Sequence, residues 1–260
     1  MGQIRELLAN KMKVKIYETR SQMGDEAAYE VSKKIKELLL TREFVNIIFA
    51  AAPSQNEFLS SLSKQQDVDW SRINAFHMDE YVGLDENAPQ RFGQFLKDRI
   101  FDKVPFNKVY YINGNADDPY VECHRYSNLL KQYPADIICM GIGENTHIAF
   151  NDPHVADFND PEGVKVVALD QVSRQQQVND GCFEHIEEVP AFAITLTVPA
   201  LLQANYIYCI VPGAKKASAI YYTMNIDANE KYPSTSLKNH NNAILYLDNE
   251  SAAQLDRNIF

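Results

Sequence analysis

Short apolar runs alternate with longer amphipathic segments along this chain, and the alternation predicts its secondary structure. The run from Val45 to Ala52 is rich in Val, Ile, Phe and Ala, which is typical of a parallel strand covered on both faces. The segment from Asp25 to Thr41 instead places Val31, Ile35 and Leu38 on one helical face. The predicted strands are 14–19, 45–52, 73–78, 108–113, 136–142, 164–169, 206–211 and 243–248. The predicted helices are 25–41, 54–65, about 89–101, 117–130 and one that opens at 213–216.

Because strand and helix alternate throughout, we expect an α/β fold: a doubly wound, mostly parallel sheet with helices on both faces, Rossmann-like in architecture. Ser54 suits the N-cap of the second helix, and Pro89 would occupy the first turn of the third. The 260 residues suit one domain over 1–260, since no repeat or linker marks a second one.

Composition and charge exclude several classes of protein. The net charge of −10 argues against binding nucleic acid through its phosphates, because that mode needs a positive surface. The N-terminal segment is too charged for a secretory signal, and no apolar run reaches the roughly 18 residues needed to cross a membrane. The four cysteines include no CxxC pair. We therefore expect a cytoplasmic protein with reduced thiols, and the sequence leaves open whether it forms a homo-oligomer.

The stretch from Cys139 to Pro153 joins an apolar run, a glycine turn, a histidine and a carboxylate within fifteen residues. A histidine taken alone, such as His147, is more often structural than catalytic. Here Asn145 lies two positions before it and Asp152 five positions after, close enough to set its tautomer and charge. This loop is the first candidate for acid–base chemistry.

Three other polar clusters follow predicted strands, at 51–55, 78–81 and 213–216. The carboxyl ends of parallel strands open on one edge of a sheet, so we expect all of them to converge there. Asp79 and Glu80 suit either a solvated loop or a general base whose pKa is raised by burial. Lys216 suits either an exposed lysine or one that holds an anion at a helix N-terminus.

The sequence predicts no metal and no cofactor. The six histidines show no HxxxH or HxH spacing, which disfavours a metal site. Ser54 lies in no GxSxG motif, so a nucleophilic triad is weakly supported. Thr146 stands where a GxGxxG motif would have its third glycine, which argues against a dinucleotide.

Two long motifs, FHMDEYVGLDENAPQRFGQFL and GIGENTHIAFNDP, resemble those of the glucosamine-6-phosphate deaminases (isomerases). The order and spacing of the other clusters are similar to that family from about Asp25 to Asp248. The resemblance implies an aldose–ketose isomerisation coupled to loss of ammonia, with a small sugar phosphate as substrate and fructose 6-phosphate as product. It also implies a Rossmann-like sheet and no metal or redox cofactor.

The resemblance assigns roles to four residues. Asp79 matches the general base that moves a proton between C2 and C1 through an enediol-type intermediate. His147 matches the histidine that assists ring opening, and Asn145 and Asp152 match the residues that orient it. Asp152 stands where the family usually has glutamate, so its side chain is one methylene shorter.

The resemblance also implies a phosphate site, and this chain departs from it in several places. A family loop of the type TGSTP reads Ala51-Ala52-Pro53-Ser54-Gln55 here, with only one hydroxyl and a proline that lacks an N–H. Lys216 matches the family's phosphate lysine. The family's arginine is missing, although Arg174 stands a few residues upstream of that position. Thr146 replaces a glycine. The predicted substrate-binding residues are Ser54, Lys216, Arg174, Ala51, Ala52, Gly143 and Thr146.

Two alternatives to a deaminase remain. The fold and a GxxGHxA-like loop also resemble those of lactone hydrolases of the 6-phosphogluconolactonase type, although the DEYVGL segment favours the deaminase. A sugar-phosphate sensor that binds without turnover is the other alternative, and the altered phosphate loop favours it.

Overall fold

The computed structural model describes residues 5–255, and strands form two sheets within that range. In chain order the strands are β1 (Arg5–Ala9), β2 (Met12–Tyr17), β3 (Val45–Phe49), β4 (Ile73–His77), β5 (Asp79–Tyr81), β6 (Lys108–Tyr110), β7 (Ile137–Met140), β8 (Val164–Ala168), β9 (Phe192–Leu196), β10 (Tyr206–Val211) and β11 (Ala243–Asp248). The helices are α1 (Arg20–Leu39), α2 (Asn56–Leu62), α3 (Phe92–Leu96), α4 (Pro119–Gln132), α5 (Gln171–Asn179), α6 (Val198–Leu202) and α7 (Ala217–Asn225).

The larger sheet has the strand order β1-β2-β11-β10-β7-β3-β4-β6. From β2 to β6 each neighbouring pair is parallel, and only the edge strand β1 runs antiparallel to β2. The prediction of a mostly parallel, Rossmann-like α/β sheet is therefore confirmed. Strand β1 was not expected, because its sequence RELLA carries two charges and is short.

Both faces of this sheet are covered, as the apolar runs predict. Successive side chains of a strand point to opposite faces. Ile47 and Phe49 of β3 pack in one apolar layer, which includes residues of α1, α2 and α3. Ile48 packs in the other, which includes residues of α4, α6 and α7. The sheet thus has one hydrophobic layer on each face, and the two layers hold its strand ends in fixed positions.

A second, smaller sheet lies beside the carboxyl ends of the parallel strands, in the order β5-β9-β8. Both of its pairings are antiparallel, and Asp79 of β5 pairs with Thr195 of β9. For the polar segment that begins at Asp79, a solvated loop was one of the two interpretations. Its first three residues instead form a strand, so the position of Asp79 is set by backbone pairing.

Several element boundaries differ from the sequence predictions. Ser54 is not an N-cap, because it lies inside a 3₁₀ turn (Pro53–Gln55) that precedes α2. Pro89 lies before α3, which begins at Phe92 and continues into a π-helical turn (Lys97–Phe101). The buried Glu80 carboxylate accepts hydrogen bonds from the first backbone N–H groups of α3, which fixes the start of that helix. Helix α5 was not predicted.

The described helices and the cysteines bear on the expectations from composition. No helix between residues 5 and 255 combines the length and the apolar character that crossing a bilayer requires. The four cysteines, Cys123, Cys139, Cys182 and Cys209, form no disulfide.

The close packing of α1 on α2 generates a stability prediction. A Cβ built on Gly24 would lie 2.8 Å from the Glu57 Cβ and 2.9 Å from the Phe58 backbone nitrogen. Gly24→Ala should therefore destabilise the protein by about 1 to 3 kcal/mol in urea denaturation, although the same change in an open helix stabilises by about 1 kcal/mol. Ser21→Ala on the exposed face of α1 is the control, and it should shift stability by less than about 0.5 kcal/mol. A gain in stability for Gly24→Ala would contradict the packing.

Candidate functional site

The polar clusters that follow β3, β4, β7 and β10 converge on one pocket at the carboxyl edge of the sheet, as expected. The pocket is lined by Ala50, Ala51, Ala52, Ser54, Gln55, Met78, Asp79, Phe92, Gly141, Ile142, Gly143, His147, Ala149, Phe150, Gln176, Gln177 and Lys216. Seven of the eleven residues singled out from sequence therefore line the pocket. The other four, Asn145, Thr146, Asp152 and Arg174, are not among its lining residues.

His147 is held from behind by three polar side chains. Its Nδ1 lies 2.7 Å from Asn145 Oδ1, 2.9 Å from Ser173 Oγ and 3.2 Å from Asp152 Oδ1. The Asn145 amide is oriented by its Nδ2, which donates to Asp152 and Asp170. The atom facing His147 is therefore an acceptor, so Nδ1 carries the proton and Nε2 is left for the pocket.

The imidazole also rests directly against the glycine turn. A Cβ built on Gly143 would lie 2.1 to 2.4 Å from three atoms of the His147 ring, and Gly143 N donates to the His147 carbonyl at 2.9 Å. Only glycine lets the backbone approach the ring so closely. The turn that precedes His147 thus limits where the ring can lie.

Asp152 reaches this network in spite of its shorter side chain. The carboxylate is fully buried and accepts hydrogen bonds from Asn145 Nδ2 at 3.0 Å, from Ser173 Oγ and from Asp170 N at 3.2 Å. Burial acts to raise the pKa of Asp152. The hydrogen bond and charge of His147, with Ser173 and Asn145, outweigh burial and hold that pKa below its ordinary value. Asp152 therefore supplies a fixed negative charge behind the imidazole.

Asp79 has the opposite environment. It lines the pocket, is 7 % exposed, and its carboxylate makes no side-chain hydrogen bond within residues 5–255. Burial, with the nearby charge of Glu80, raises its pKa well above the ordinary value. Glu80 is used differently, because its carboxylate accepts from the backbone N–H groups of Tyr81, Phe92 and Gly93. A carboxylate with a raised pKa and no fixed partner can take up a proton from a bound molecule.

His77, which sequence reasoning did not single out, fixes the backbone beside Asp79. Its Nδ1 donates to the Asp79 carbonyl at 2.9 Å, while its Nε2 accepts from Ile112 N at 2.9 Å. Burial lowers the pKa of His77 to about 4, so the ring is neutral at neutral pH. Both ring nitrogens are used, which makes His77 a structural histidine that joins β4 to β5.

The residues predicted to bind phosphate separate into two groups. Ser54 and Lys216 both line the pocket, and Lys216 is only 6 % exposed. Burial lowers the pKa of Lys216, while the charges of Asp180 and Glu144 act in the opposite direction. Arg174 lies elsewhere, because its guanidinium donates to the carbonyls of Ile186 and Val189 at 2.7 to 3.2 Å.

Thr146 has left-handed backbone geometry, with φ of +72°. This region favours glycine, and a β-branched residue there is strained by about 1 to 2 kcal/mol. Its side chain is buried, and its hydroxyl makes no hydrogen bond within the described chain. The residue therefore shapes the loop beneath His147 and is not a pocket wall.

The structure adds site residues that lie far away in sequence. Ser173 bridges His147 and Asp152 from the start of α5, whose N-cap is Asp170. The pattern Asp-Gln-Val-Ser is a helix-start signal that could have located α5, but nothing in it points to His147. Gln176 and Gln177 of the same helix line the pocket. Their role depends on a helix whose existence the sequence reasoning did not establish.

Asp152, His154 and Asp170 bring their potential ligand atoms within 4.8 Å of one another. A cation can be held at such spacing, but the Asp152 and Asp170 oxygens already accept hydrogen bonds from Asn145, Ser173 and the Asp170 backbone. We therefore interpret this cluster as the support of His147 and assign no metal to it.

The fold and pocket define an α/β protein with Asp79 and His147 in one pocket at the carboxyl edge of a parallel sheet. Residues 18–246 match the family model described as glucosamine-6-phosphate isomerases/6-phosphogluconolactonase. A glucosamine-6-phosphate deaminase of Bacillus cereus is 32% identical over 240 residues, which are 92% of this chain and 88% of that protein. The chain belongs to the glucosamine-6-phosphate isomerase/6-phosphogluconolactonase family.

Solved structures agree with this assignment. A monomeric glucosamine-6-phosphate deaminase superposes with a TM-score of 0.85 at 27% identity, covering 93% of this chain and 99% of that one. A 6-phosphogluconolactonase of Thermotoga maritima gives a TM-score of 0.73 at 17% identity, covering 90% and 98% of the two chains. The second likeness shows a shared fold alone.

The contrasting environments of the two buried aspartates predict opposite effects on stability. The raised pKa of Asp79 means that its contribution is present below the unfolded pKa of about 4 and is lost as pH rises through the folded-state value. Asp79→Asn should therefore increase the free energy of unfolding at pH 7, by about 1 kcal/mol or more. Urea denaturation at pH 7 and pH 4 measures this, and the gain should shrink at pH 4.

Asp152→Asn is the matched variant. The lowered pKa of Asp152 means that its contribution is present above about pH 4 and is lost as pH falls toward the folded-state value. The variant should lower stability at pH 7 by about 2 kcal/mol, with a smaller loss at low pH. Shifts of the same sign for both variants at pH 7 would contradict the two environments.

Proposed function

We propose that this protein converts a hexosamine 6-phosphate, with glucosamine 6-phosphate as the first candidate, into a ketose 6-phosphate and ammonia. The observation that carries the proposal is that one pocket contains both a carboxylate and an imidazole whose environments differ. Asp79 offers a carboxylate with a raised pKa and no fixed partner. His147 offers Nε2 from a ring whose Nδ1 is occupied by Asn145, Ser173 and Asp152.

In the proposed reaction Asp79 acts as the base. The carboxylate takes the proton from C2 of the open-chain sugar and returns it to C1. O1 gains a proton and the C2 nitrogen loses one as the double bond moves from C1–O1 to C2–N, so the aldehyde at C1 becomes an alcohol and the C2 amine becomes an imine. Hydrolysis of the imine by one water gives the ketone and ammonia. The raised pKa suits this step, because a stronger base takes a weakly acidic C–H proton more readily.

His147 serves the preceding step, the opening of the sugar ring. Transfer of a proton to the ring oxygen, with loss of one from the C1 hydroxyl, breaks the C1–O bond and gives the aldehyde. An imidazole suits both transfers near neutral pH. Asn145, Ser173 and Asp152 hold the ring from its Nδ1 side, so His147 can exchange a proton at Nε2 without moving.

The comparisons support the proposal, because similar proteins across most of the chain's length are glucosamine-6-phosphate deaminases. The structural relatives that are 6-phosphogluconolactonases are more distant, at 14 to 17% identity. The names of both groups of relatives refer to a phosphorylated sugar, so binding of a phosphate group does not distinguish a deaminase from a lactonase. The release of ammonia does.

The proposal predicts release of ammonia from glucosamine 6-phosphate, measured with a coupled glutamate dehydrogenase assay. Asp79→Asn should lower kcat at least about 1000-fold, because the base that moves the proton is lost while the fold is retained. Glu80→Gln is the neighbouring control, and it should affect stability more than the chemical step. Its carboxylate faces the start of α3, whereas Asp79 lines the pocket.

Three outcomes would contradict parts of the proposal. If neither glucosamine 6-phosphate nor its galactosamine isomer yields ammonia, the protein is not a deaminase of this kind. If hydrolysis of 6-phosphogluconolactone exceeds its spontaneous rate while no ammonia is formed, the lactonase alternative is favoured. Turnover of Asp79→Asn at the wild-type rate would remove Asp79 as the base.

A further inference from the structure

The catalytic pocket is too small to enclose a sugar phosphate. It holds about 60 Å³ of open space, whereas sites for small molecules usually measure several hundred cubic ångströms. A second cavity of about 350 Å³ adjoins it and shares Ser54 and Lys216 as walls. A molecule whose reacting end lies between Asp79 and His147 therefore finds further room for its other end beyond these two shared residues.

The wall shared by the two cavities carries a cation that a ligand can contact. Lys216 is nearly buried, and its ammonium group makes neither an ion pair nor a hydrogen bond within residues 5–255. Its Nζ is therefore available to an anion that enters either cavity. The position of this lysine on the boundary places the anion at the junction of the two cavities.

The inner side of the junction is poorly suited to a phosphate group. Pro53 has no backbone N–H to donate. Gln55 directs its Nε2 to the Ile210 carbonyl at 3.0 Å, which leaves its Oε1 buried without a partner. An acceptor oxygen repels a phosphate dianion. Arg174 offers no compensation, since its guanidinium is occupied by backbone carbonyls elsewhere.

The outer cavity contains another arginine. Arg20, the first residue of α1, lines this cavity with Ser54, Lys215 and Lys216. Its Nη2 lies 3.4 Å from the Pro53 carbonyl, so the guanidinium sits beside the loop that carries Ser54. No hydrogen bond from its Nη1 occurs in the part of the chain that the structure describes, which leaves two donors for a ligand.

Arg20 is paired on its other side with Glu57. Nη2 donates to Glu57 Oε2 at 2.9 Å, while Nε approaches Oε1 at 2.7 Å without the alignment of a hydrogen bond. The carboxylate offsets part of the charge of the guanidinium. Two carboxylates, Asp180 and Glu250, line the same cavity and reduce its positive potential further.

We propose that Arg20 and Lys216 bind the phosphate group of the substrate from opposite sides of Ser54, so that Arg20 replaces the arginine missing from the pocket itself. The proposal rests on the proposed function, because it takes the anion to be the phosphate of a hexosamine 6-phosphate. The phosphate then lies in the outer cavity, while the sugar carbons reach inward to Asp79 and His147.

The test compares Arg20→Gln with Glu57→Gln, because both break the same ion pair but only the first removes the cation. Isothermal titration with inorganic phosphate gives Kd, and the ammonia assay gives KM and kcat for glucosamine 6-phosphate. For Arg20→Gln, Kd and KM should rise about tenfold with kcat within about twofold of wild type, since one charge-assisted contact is lost. For Glu57→Gln, Kd should stay equal to that of wild type or fall.

Urea midpoints separate binding from stability, because loss of the shared ion pair should shift both variants alike. If Arg20→Gln does not fold, Arg20→Lys provides the test: it retains the charge without the planar guanidinium, and its Kd should rise less than tenfold. An unchanged Kd for the Arg20 variant, or an equal rise in Kd for the Glu57 variant, would overturn the proposal.

The two proposals fail in different ways. Release of ammonia with a KM that does not depend on Arg20 would remove the phosphate assignment and leave the deaminase intact. Absence of ammonia together with Arg20-dependent binding of inorganic phosphate would remove the deaminase and leave the anion site.

Discussion

The buried carboxylate of Asp152 is the interaction on which the site depends. It accepts hydrogen bonds from the loop after β7, through Asn145, and from the start of α5, through Ser173 and the Asp170 backbone. These segments belong to different parts of the fold, and a single charge holds them around one imidazole. Because each donor also orients its neighbour, the loss of any one would disturb the direction of His147.

The two aspartates of the site show how one fold prepares the same side chain for different tasks. Asp152 is surrounded by donors and stays ionised, whereas Asp79 lies in an apolar setting beside another acid and resists ionisation. Neither environment follows from the local sequence. Backbone pairing places Asp79, since β5 forms part of the small antiparallel sheet, and His77 holds the carbonyl next to it. The small sheet therefore contributes directly to the acid–base chemistry proposed here.

Sequence predicted the parts of the structure that depend on apolar periodicity and missed those that depend on contacts distant in sequence. Strands such as β3 and β7 are mostly apolar, so the parallel sheet and the convergence of His147 with Asp79 could be predicted. Strand β5 could not be predicted, because the short segment Asp-Glu-Tyr forms a strand only where β9 is available to pair with it. Arg174 was placed near the pocket from chain distance alone, but its guanidinium is taken by carbonyl groups that no local pattern reveals.

The strand order has a consequence for how the protein is made. Strand β2 lies next to β11, the last strand, and β10 lies between β11 and β7. An emerging chain can therefore pair β3 with β4 and β7 early, but β2 stays without its parallel neighbour until nearly the whole chain has left the ribosome. Such non-local pairing slows folding and exposes strand edges meanwhile. Lys216 follows β10 in the chain, so the proposed anion-binding end of the pocket is completed only after Asp79 and His147 have emerged.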